Sequence, residues 1–530
     1  MKLTIDGIKD SEFSKKNYIL PKFDIQQVSK NSHNNVKWVH FGAGNIFRAF
    51  QAVLCQKMLE NNEFDTGITV VECFDEDIIN KAFIPSDNLS VAVSLKSDGT
   101  VEKRVVASVV ESLKYSEEQE RLNEIFKMDS LQMVSLSITE KGYSLFDKDG
   151  KPFGFCANDF ISMDAPVSII AILTKLMYER FKAGKKKIAL VSMDNCSHNG
   201  TLLYNAVKAI ANSWVQHKLV PSEFVEYLDD KQTVSFPWSM IDKITPRPAP
   251  EVLEMLAKDG LEGSEIVVTK RNTHISTIVN AEECEYLAIE DSFPNGRPPL
   301  EKEGVIFADR DTVDRIEKMK VCTCLNPLHT CLAIYGCLLG YEKISDEMHD
   351  ADLVKFIKQI GYTEGLPVVV DPKVMSAKKF IDEVVQLRLP NPFMPDTPQR
   401  IATDTSKKLI VRFGETMKSY IEKGKTDLSF LTAIPLVFAG YARYLTGIDE
   451  KGETFELSPD PNLASLSELF KNFKLGETVD RNILHELFSN KALFGVDLYK
   501  YNLGKKVETM FDEMSVSKGA IRTTIQKYLN

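Results

Sequence analysis

The sequence predicts an α/β fold: a doubly wound N-terminal domain over residues 1–304, followed by a mostly α-helical C-terminal domain over residues 305–530. Three observations predict it. Short, apolar, β-branched runs alternate with amphipathic segments up to about residue 200, the pattern of a parallel sheet built from βαβ units. A glycine turn, Gly42-Ala43-Gly44, interrupts the first alternation where strand passes into helix. Beyond about residue 300 the apolar period becomes helical and β-branched runs thin out.

Residues 36–41 (VKWVHF) read as a strand that breaks at the glycine turn and continues as a helix through Met58. A second strand follows at Gly67–Cys73, then an acidic turn and a helix from Glu76 to Ala82. Strand, glycine turn, helix, strand is the opening of a Rossmann-like domain. Later strand-like runs are Met133–Thr139 and Ile188–Met193, with the amphipathic segment Val167–Lys182 between them. The Pro- and Gly-rich stretch Asp291–Pro299 reads as an ordered loop crossing between the two halves. Helical periods then occupy Val313 to Leu339, 350–385, 405–425 and 428–447, and Pro459–Asn530 reads as helices packing back on the protein.

A chain of 530 residues is long enough for two folded units, and 43% hydrophobic with 26% charged residues excludes wholesale disorder. Its formal charge of -10 argues against a nucleic-acid partner. Nine cysteines without a CxxC pair read as reduced, mostly buried thiols rather than a disulfide framework or a zinc ribbon. The N-terminus lacks a signal-peptide pattern, and the longest apolar stretch, near Cys331–Gly340, is too short to span a bilayer. A cytoplasmic protein with no membrane partner is expected, its oligomeric state open.

The turn His40-Phe41-Gly42-Ala43-Gly44-Asn45-Ile46-Phe47-Arg48 suits a dinucleotide. Small residues let the backbone approach a pyrophosphate, whose charge meets the exposed N–H groups and the helix dipole. The third glycine of the usual fingerprint is replaced by Phe47. Gly42, Gly44, Asn45, Phe47 and Arg48 are the cofactor-binding candidates here. Glu72 and Asp75, at the end of the second strand, would accept hydrogen bonds from the adenosine ribose and repel a 2′-phosphate, favouring NAD over NADP. The competing reading of Asp75-Glu76-Asp77 is a solvated acidic turn.

Two polar stretches carry the candidate chemistry. From Glu317 to Thr330 the chain places Lys320, Asn326 and His329 within a few helical turns, and Asn326 and His329, three apart, share a face. Asp194-Asn195-Cys196-Ser197-His198-Asn199-Gly200 closes a strand, where ligands of open α/β sheets bind. Side-chain amides both donate to and accept from hydroxyls, so this string suits a polyhydroxylated ligand. Taken singly, Lys320 would usually be a surface charge and His329 a satisfied core histidine. No HExxH occurs, and Cys322 and Cys324 read as helix packing, so no metal site is expected.

Together these residues resemble the long-chain mannitol dehydrogenase family of polyol and hexuronate oxidoreductases. The resemblance is carried by FGAGNIFRAF (41–50), ITEKGY (138–143), SMDNCSHNG (192–200), FPWSMIDKITP (236–246), EDSFPNGRPPLE (290–301), the Lys320–His329 segment and RIATDTSKK (400–408), in family order. It implies metal-independent, reversible hydride transfer between C2 of a sugar alcohol or sugar acid and NAD. It also implies roles: Lys320 as general base, Asn195 and Asn326 holding the developing alkoxide, His329 orienting the reacting oxygen, and Glu317 passing the proton onward. Asp242, Arg400 and Lys408 match positions lining the substrate pocket, and Asn199 is counted with them.

One departure stands out. Lys320 precedes Asn326 by six residues, where the family has five, and one extra residue rotates a side chain by about 100° on a regular helix. Either a π-bulge absorbs it or Lys320 is displaced, with Lys318 or a water substituting. Within the family the expected substrate pair is mannonate and its 2-keto form, with a polyol such as mannitol as the alternative. A non-catalytic nucleotide-binding regulator is the alternative from another class.

Overall fold

The computed structural model describes residues 1–247 and 249–529. They divide into two compact units: Met1–Lys96 with Thr100–Asp314, and Arg315–Asn530 with Ser97–Gly99.

The first unit is built on six strands: β1 (Trp38–Phe41), β2 (Ile68–Glu72), β3 (Val109–Lys114), β4 (Met133–Leu136), β5 (Ile188–Ser192) and β6 (Val234–Ser235). They lie in the order β3-β2-β1-β4-β5-β6 and every neighbouring pair is parallel. This is the doubly wound order, which reverses between β1 and β4. Residue alternation sends Val39, Phe41, Val71, Val134 and Leu136 into one core, with α2 (Ile169–Lys182) and α3 (Asn199–Gln216). Trp38, Val70, Met133 and Val191 go into the other, with α1 (Ala52–Glu60). Both faces are covered, so the central strands read as unbroken apolar runs instead of alternating ones.

Smaller sheets went unread in the sequence. Tyr18–Ile19, Val101–Val106, Ser90–Leu95 and Ile278–Glu282 form one, and Ser239–Asp242, Tyr286–Glu290 and Ile306–Ala308 another. Ile278–Glu282 pairs with the distant Ser90–Leu95, a partnership no local pattern reveals. The expected helix at Glu76 to Ala82 is a π turn, Ile79–Phe83, running into a short 3₁₀ turn. The loop at Asp291–Pro299 does not cross between the halves. Asp291 N–H donates to Ala308 C=O at 2.8 Å within the first unit, and the chain leaves that unit inside α4 (Arg310–Met319).

The second unit packs around α5 (Asn326–Leu339), in which eleven of fourteen residues are buried. The helical run Arg310–Leu339 is long and apolar enough to cross a membrane, contrary to the sequence expectation, but 78% of its apolar window is buried in protein. It is a core helix. Tyr335 donates its hydroxyl to Leu436 C=O at 2.7 Å. A Cβ on Gly440 would stand 2.6 Å from the Tyr335 ring, so glycine there sets how closely Ala433–Tyr444 approaches α5. Buried Glu364 caps the former helix, accepting from the Thr432, Ala433 and Ile434 N–H groups at 2.7–2.8 Å. Among the described residues all nine cysteines are free, six of them buried.

Candidate functional site

In the first unit the glycine turn sits at the switch point between β1 and β4. Gly42 has φ +104° and its N–H donates to Val71 C=O at 2.9 Å. A Cβ there would meet Ser137 C=O at 2.8 Å, whereas one on Gly44 would meet nothing within 4 Å. Gly42 therefore makes the turn and Gly44 leaves open backbone facing free space. The helix beyond begins as a π turn, Phe47–Gln51. It accommodates a phenyl ring where the fingerprint has glycine: buried Phe47 stacks on His40 at 4.2 Å.

Arg48, in that π turn, is 2% exposed. It donates to Ser276 C=O at 2.6 Å and to Asn45 Oδ1 at 3.0 Å, and its Nε has no partner. No carboxylate among the described residues pairs with it, and burial pulls its pKa down to about 10. A buried cation without a counter-charge is costly unless a ligand supplies one. The open space at Gly44, a helix start and this guanidinium fit a dinucleotide pyrophosphate.

The acidic strand end differs from expectation. Both Glu72 oxygens are occupied by backbone: Oε2 accepts from Ala43 N–H at 3.0 Å, and Oε1 from Cys73, Phe74 and Asp75 N–H at 2.9–3.2 Å. Glu72 thus ties the glycine turn to the end of β2, a positioning task the sequence did not suggest. Asp75 is 5% exposed and accepts from Thr269 Oγ1 at 2.6 Å, which removes it from the solvated-turn reading.

After β5, Asp194 caps its own loop by accepting from Cys196 N–H at 3.0 Å and is hydrogen bonded by the Tyr143 hydroxyl. This bond joins the ITEKGY and SMDN segments, and burial raises the Asp194 pKa. Asn195 is exposed on the loop. Asn199 departs from its expected place on the substrate: it is fully buried, and its amide is spent within the protein. Nδ2 donates to Ser192 C=O, Asp194 C=O and Ser239 Oγ, while Oδ1 accepts from Gly200 and Ser239 N–H. Asn199→Ala is expected to lower unfolding free energy by about 2–4 kcal/mol by stranding these groups. Chemical denaturation measures it, and native stability with only a raised KM would return Asn199 to the substrate. Asp242 is buried at the end of its strand.

In the second unit the π turn expected between Lys320 and Asn326 is present, at Lys320–Cys324. Glu317 lies on α4 one turn before it, and Asn326 opens α5 with Pro327 in its first turn. Lys320, Glu317, Asn326 and His329 are all partly buried. His329 Nε2 stands 3.3 Å from Asp396 Oδ2 without an aligned hydrogen bond. Burial, and the positive charges of Arg412, Arg400, Arg388 and Lys408, push its pKa down to about 3; it is a neutral imidazole at physiological pH.

Arg400 pairs with Asp396. Lys408 donates to Ile401 C=O at 3.1 Å and to Thr403 C=O, and burial with the neighbouring Arg412 lowers its pKa to about 8. Arg412 donates to the Thr330 hydroxyl and, at 3.5 Å, to Asn326 C=O, holding the first turn of α5, and burial lowers it to about 10. Arg388, Asp396 and Arg412 were missed in the sequence. Their signal was weak: Arg412 lies four residues after Lys408, the spacing that brings helical side chains together, while Asp396 sits in the loop before the helix that carries Arg400. Arg48, Lys320, Arg388 and Arg412 each lie in a π turn, a feature often found at functional sites. Among the described residues no group of His, Cys, Asp or Glu is arranged to hold a metal.

The chain is 49% identical to D-mannonate oxidoreductase of Thermotoga maritima over 99% of both chains. It is 30% identical to the polyol:NADP oxidoreductase of Gluconobacter oxydans, covering 83% of this chain and 84% of that one. Among solved structures, a substrate-free D-sorbitol dehydrogenase superposes with TM-score 0.80 at 26% identity, covering 96% of this chain and 97% of that one. The mannitol dehydrogenase Rossmann domain matches residues 36–302 and the mannitol dehydrogenase C-terminal domain residues 312–515. With a nucleotide turn in one half and a lysine–amide–imidazole segment in the other, both matched in family order, the chain belongs to the mannitol dehydrogenase family.

Proposed function

We propose that this chain is an NAD-dependent oxidoreductase that interconverts D-mannonate and its 2-keto form. The observation that carries the substrate is the 49% identity, end to end, with a D-mannonate oxidoreductase. The charge around His329 supports it. Four cations, Arg388, Arg400, Lys408 and Arg412, act on one imidazole, and Asp396 is the carboxylate beside it. The gathered positive charge suits the carboxylate of a sugar acid better than a neutral polyol.

Bound NAD supplies the hydride acceptor for C2. As hydride leaves carbon, the C2 hydroxyl proton passes to the amine of Lys320 and onward to Glu317. Asn326 directs its amide N–H at the oxygen as its negative charge develops; removing such a donor typically costs ~3–4 kcal/mol of transition-state stabilisation. His329, neutral, orients that oxygen by hydrogen bonding without competing for the proton. Arg400 and Lys408 bind the carboxylate. The Asp75 end of β2 favours NAD over NADP by repelling a 2′-phosphate.

Purified protein assayed with NADH against fructuronate, tagaturonate and fructose tests this. Fructuronate is expected to be reduced with kcat/KM at least about a hundredfold above fructose, the discrimination a buried site designed for a charged group provides. Preference for fructose would replace the acid by the polyol reading, and binding of NADH without turnover of any of the three would favour a regulator.

A further inference from the structure

The hairpin Val267–Val268 and His274–Ile275 projects a basic tip, Lys270-Arg271-Asn272, whose three side chains are exposed. Its apex is organised by Thr269. The Thr269 hydroxyl accepts from Arg271 N–H at 3.3 Å and Thr273 N–H at 3.0 Å, and donates to Asp75 Oδ2 at 2.6 Å. Lys270 N–H adds a longer bond, 3.4 Å, to Asp77 Oδ2. The tip is therefore latched to the carboxyl end of β2. There Phe74 is 68% exposed, and the Arg271 guanidinium lies 4.3 Å from its ring centroid.

This place in the fold gives the pair a use. Phe74 N–H and Ala43 N–H donate to opposite oxygens of the single carboxylate of Glu72, so the backbone that carries the exposed ring stands beside the glycine turn. In a doubly wound sheet the adenosine end of a dinucleotide extends from that turn over the end of the second strand. An exposed phenyl ring faced by a guanidinium is a flat, polarisable surface of the kind on which purine bases stack.

We propose that Phe74 and Arg271 form the seat of the adenine, and that the buried Asp75–Thr269 bond holds the hairpin that carries Arg271 in place. The proposal rests on the dinucleotide reading above and assigns it two residues that the glycine fingerprint does not include. It also gives Asp75 a second task, as a latch, besides excluding a 2′-phosphate.

The test uses the full-length protein and equilibrium binding rather than turnover: NADH by fluorescence titration, ADP-ribose by calorimetry, and reduced nicotinamide mononucleotide, which lacks adenosine, as the control. Phe74→Ala and Arg271→Ala are each expected to weaken NADH and ADP-ribose about tenfold, the size of one base-stacking contact, and to leave the mononucleotide unchanged. Thr269→Val, which cuts the latch, should weaken ADP-ribose in the same direction. Both side chains are exposed, so the alanine variants should unfold at the wild-type midpoint. Unchanged ADP-ribose affinity in both alanine variants, or an equal loss for the mononucleotide, overturns the seat. Wild-type protein that binds neither NADH nor ADP-ribose overturns the dinucleotide reading itself, a different result from either of these.

Discussion

Lys320→Ala is expected to lower kcat for mannonate oxidation about a thousandfold, within the range typical of a positioned general base, while the unfolding midpoint stays near wild type. Helical register is the reason. Relative to the family spacing, one residue is added between Lys320 and Asn326, and on an unbroken helix it would rotate Lys320 away from the face shared by Asn326 and His329. The π turn Lys320–Cys324 takes up that residue, and Leu325 N–H closes it by donating to Lys320 C=O at 3.1 Å. Glu317 keeps its three-residue distance from Lys320, so the insertion leaves unchanged the spacing on which the proposed relay depends. Lys318→Ala, on the exposed face of α4, should turn over normally. The reverse pattern, with Lys320→Ala active and Lys318→Ala dead, would transfer the base to Lys318.

The second large effect is on stability in acid. Fully buried His40 in the first unit and partly buried His329 in the second are pushed down to about 3, by burial first and, for His329, by the surrounding cations. An unfolded histidine titrates near 6.5. Between those values the unfolded chain holds protons that the folded chain does not, so unfolding gains protons and folding stability falls as pH falls. The contribution is fully present above about pH 6.5 and is lost progressively down to about pH 3. Each histidine accounts for about 1.4 kcal/mol per pH unit in that window. Urea denaturation at pH 7.5 and 5 should show the loss, and His329→Asn should remove its share from the transition of the second unit. An unchanged pH dependence in that variant would mean that His329 is already charged in the native state.

Much of the fold was legible because its signals are local. The strand-like run Trp38 through Phe41, the glycine turn and the helical period of α2 and α5 act over a few residues, and the central parallel sheet follows from them. Strands such as Ile278–Glu282 were not legible, since their partner lies far away in the sequence. The candidate site divides in the same way. Gly42, Arg48, Lys320 and His329 announce themselves by type and spacing. The engagement of Glu72 with four backbone N–H groups and the enclosure of Asn199 by Ser192, Asp194 and Ser239 do not, because a sequence records which groups can hydrogen bond but not which are already satisfied.

The order of residues by itself determined a doubly wound first half, a helical second half, the place of the nucleotide turn and the family to which the chain belongs. Only the tertiary structure decided that Glu72 serves the backbone and that Asp75 grips Thr269, 194 residues away. It likewise decided that Arg388, Arg400, Lys408 and Arg412 gather on one neutral histidine. The physical reason is that hydrogen bonds and charges act through space at a few ångströms, so a polar side chain acquires its task from neighbours that the fold selects, while apolar periodicity needs only the chain's own local geometry.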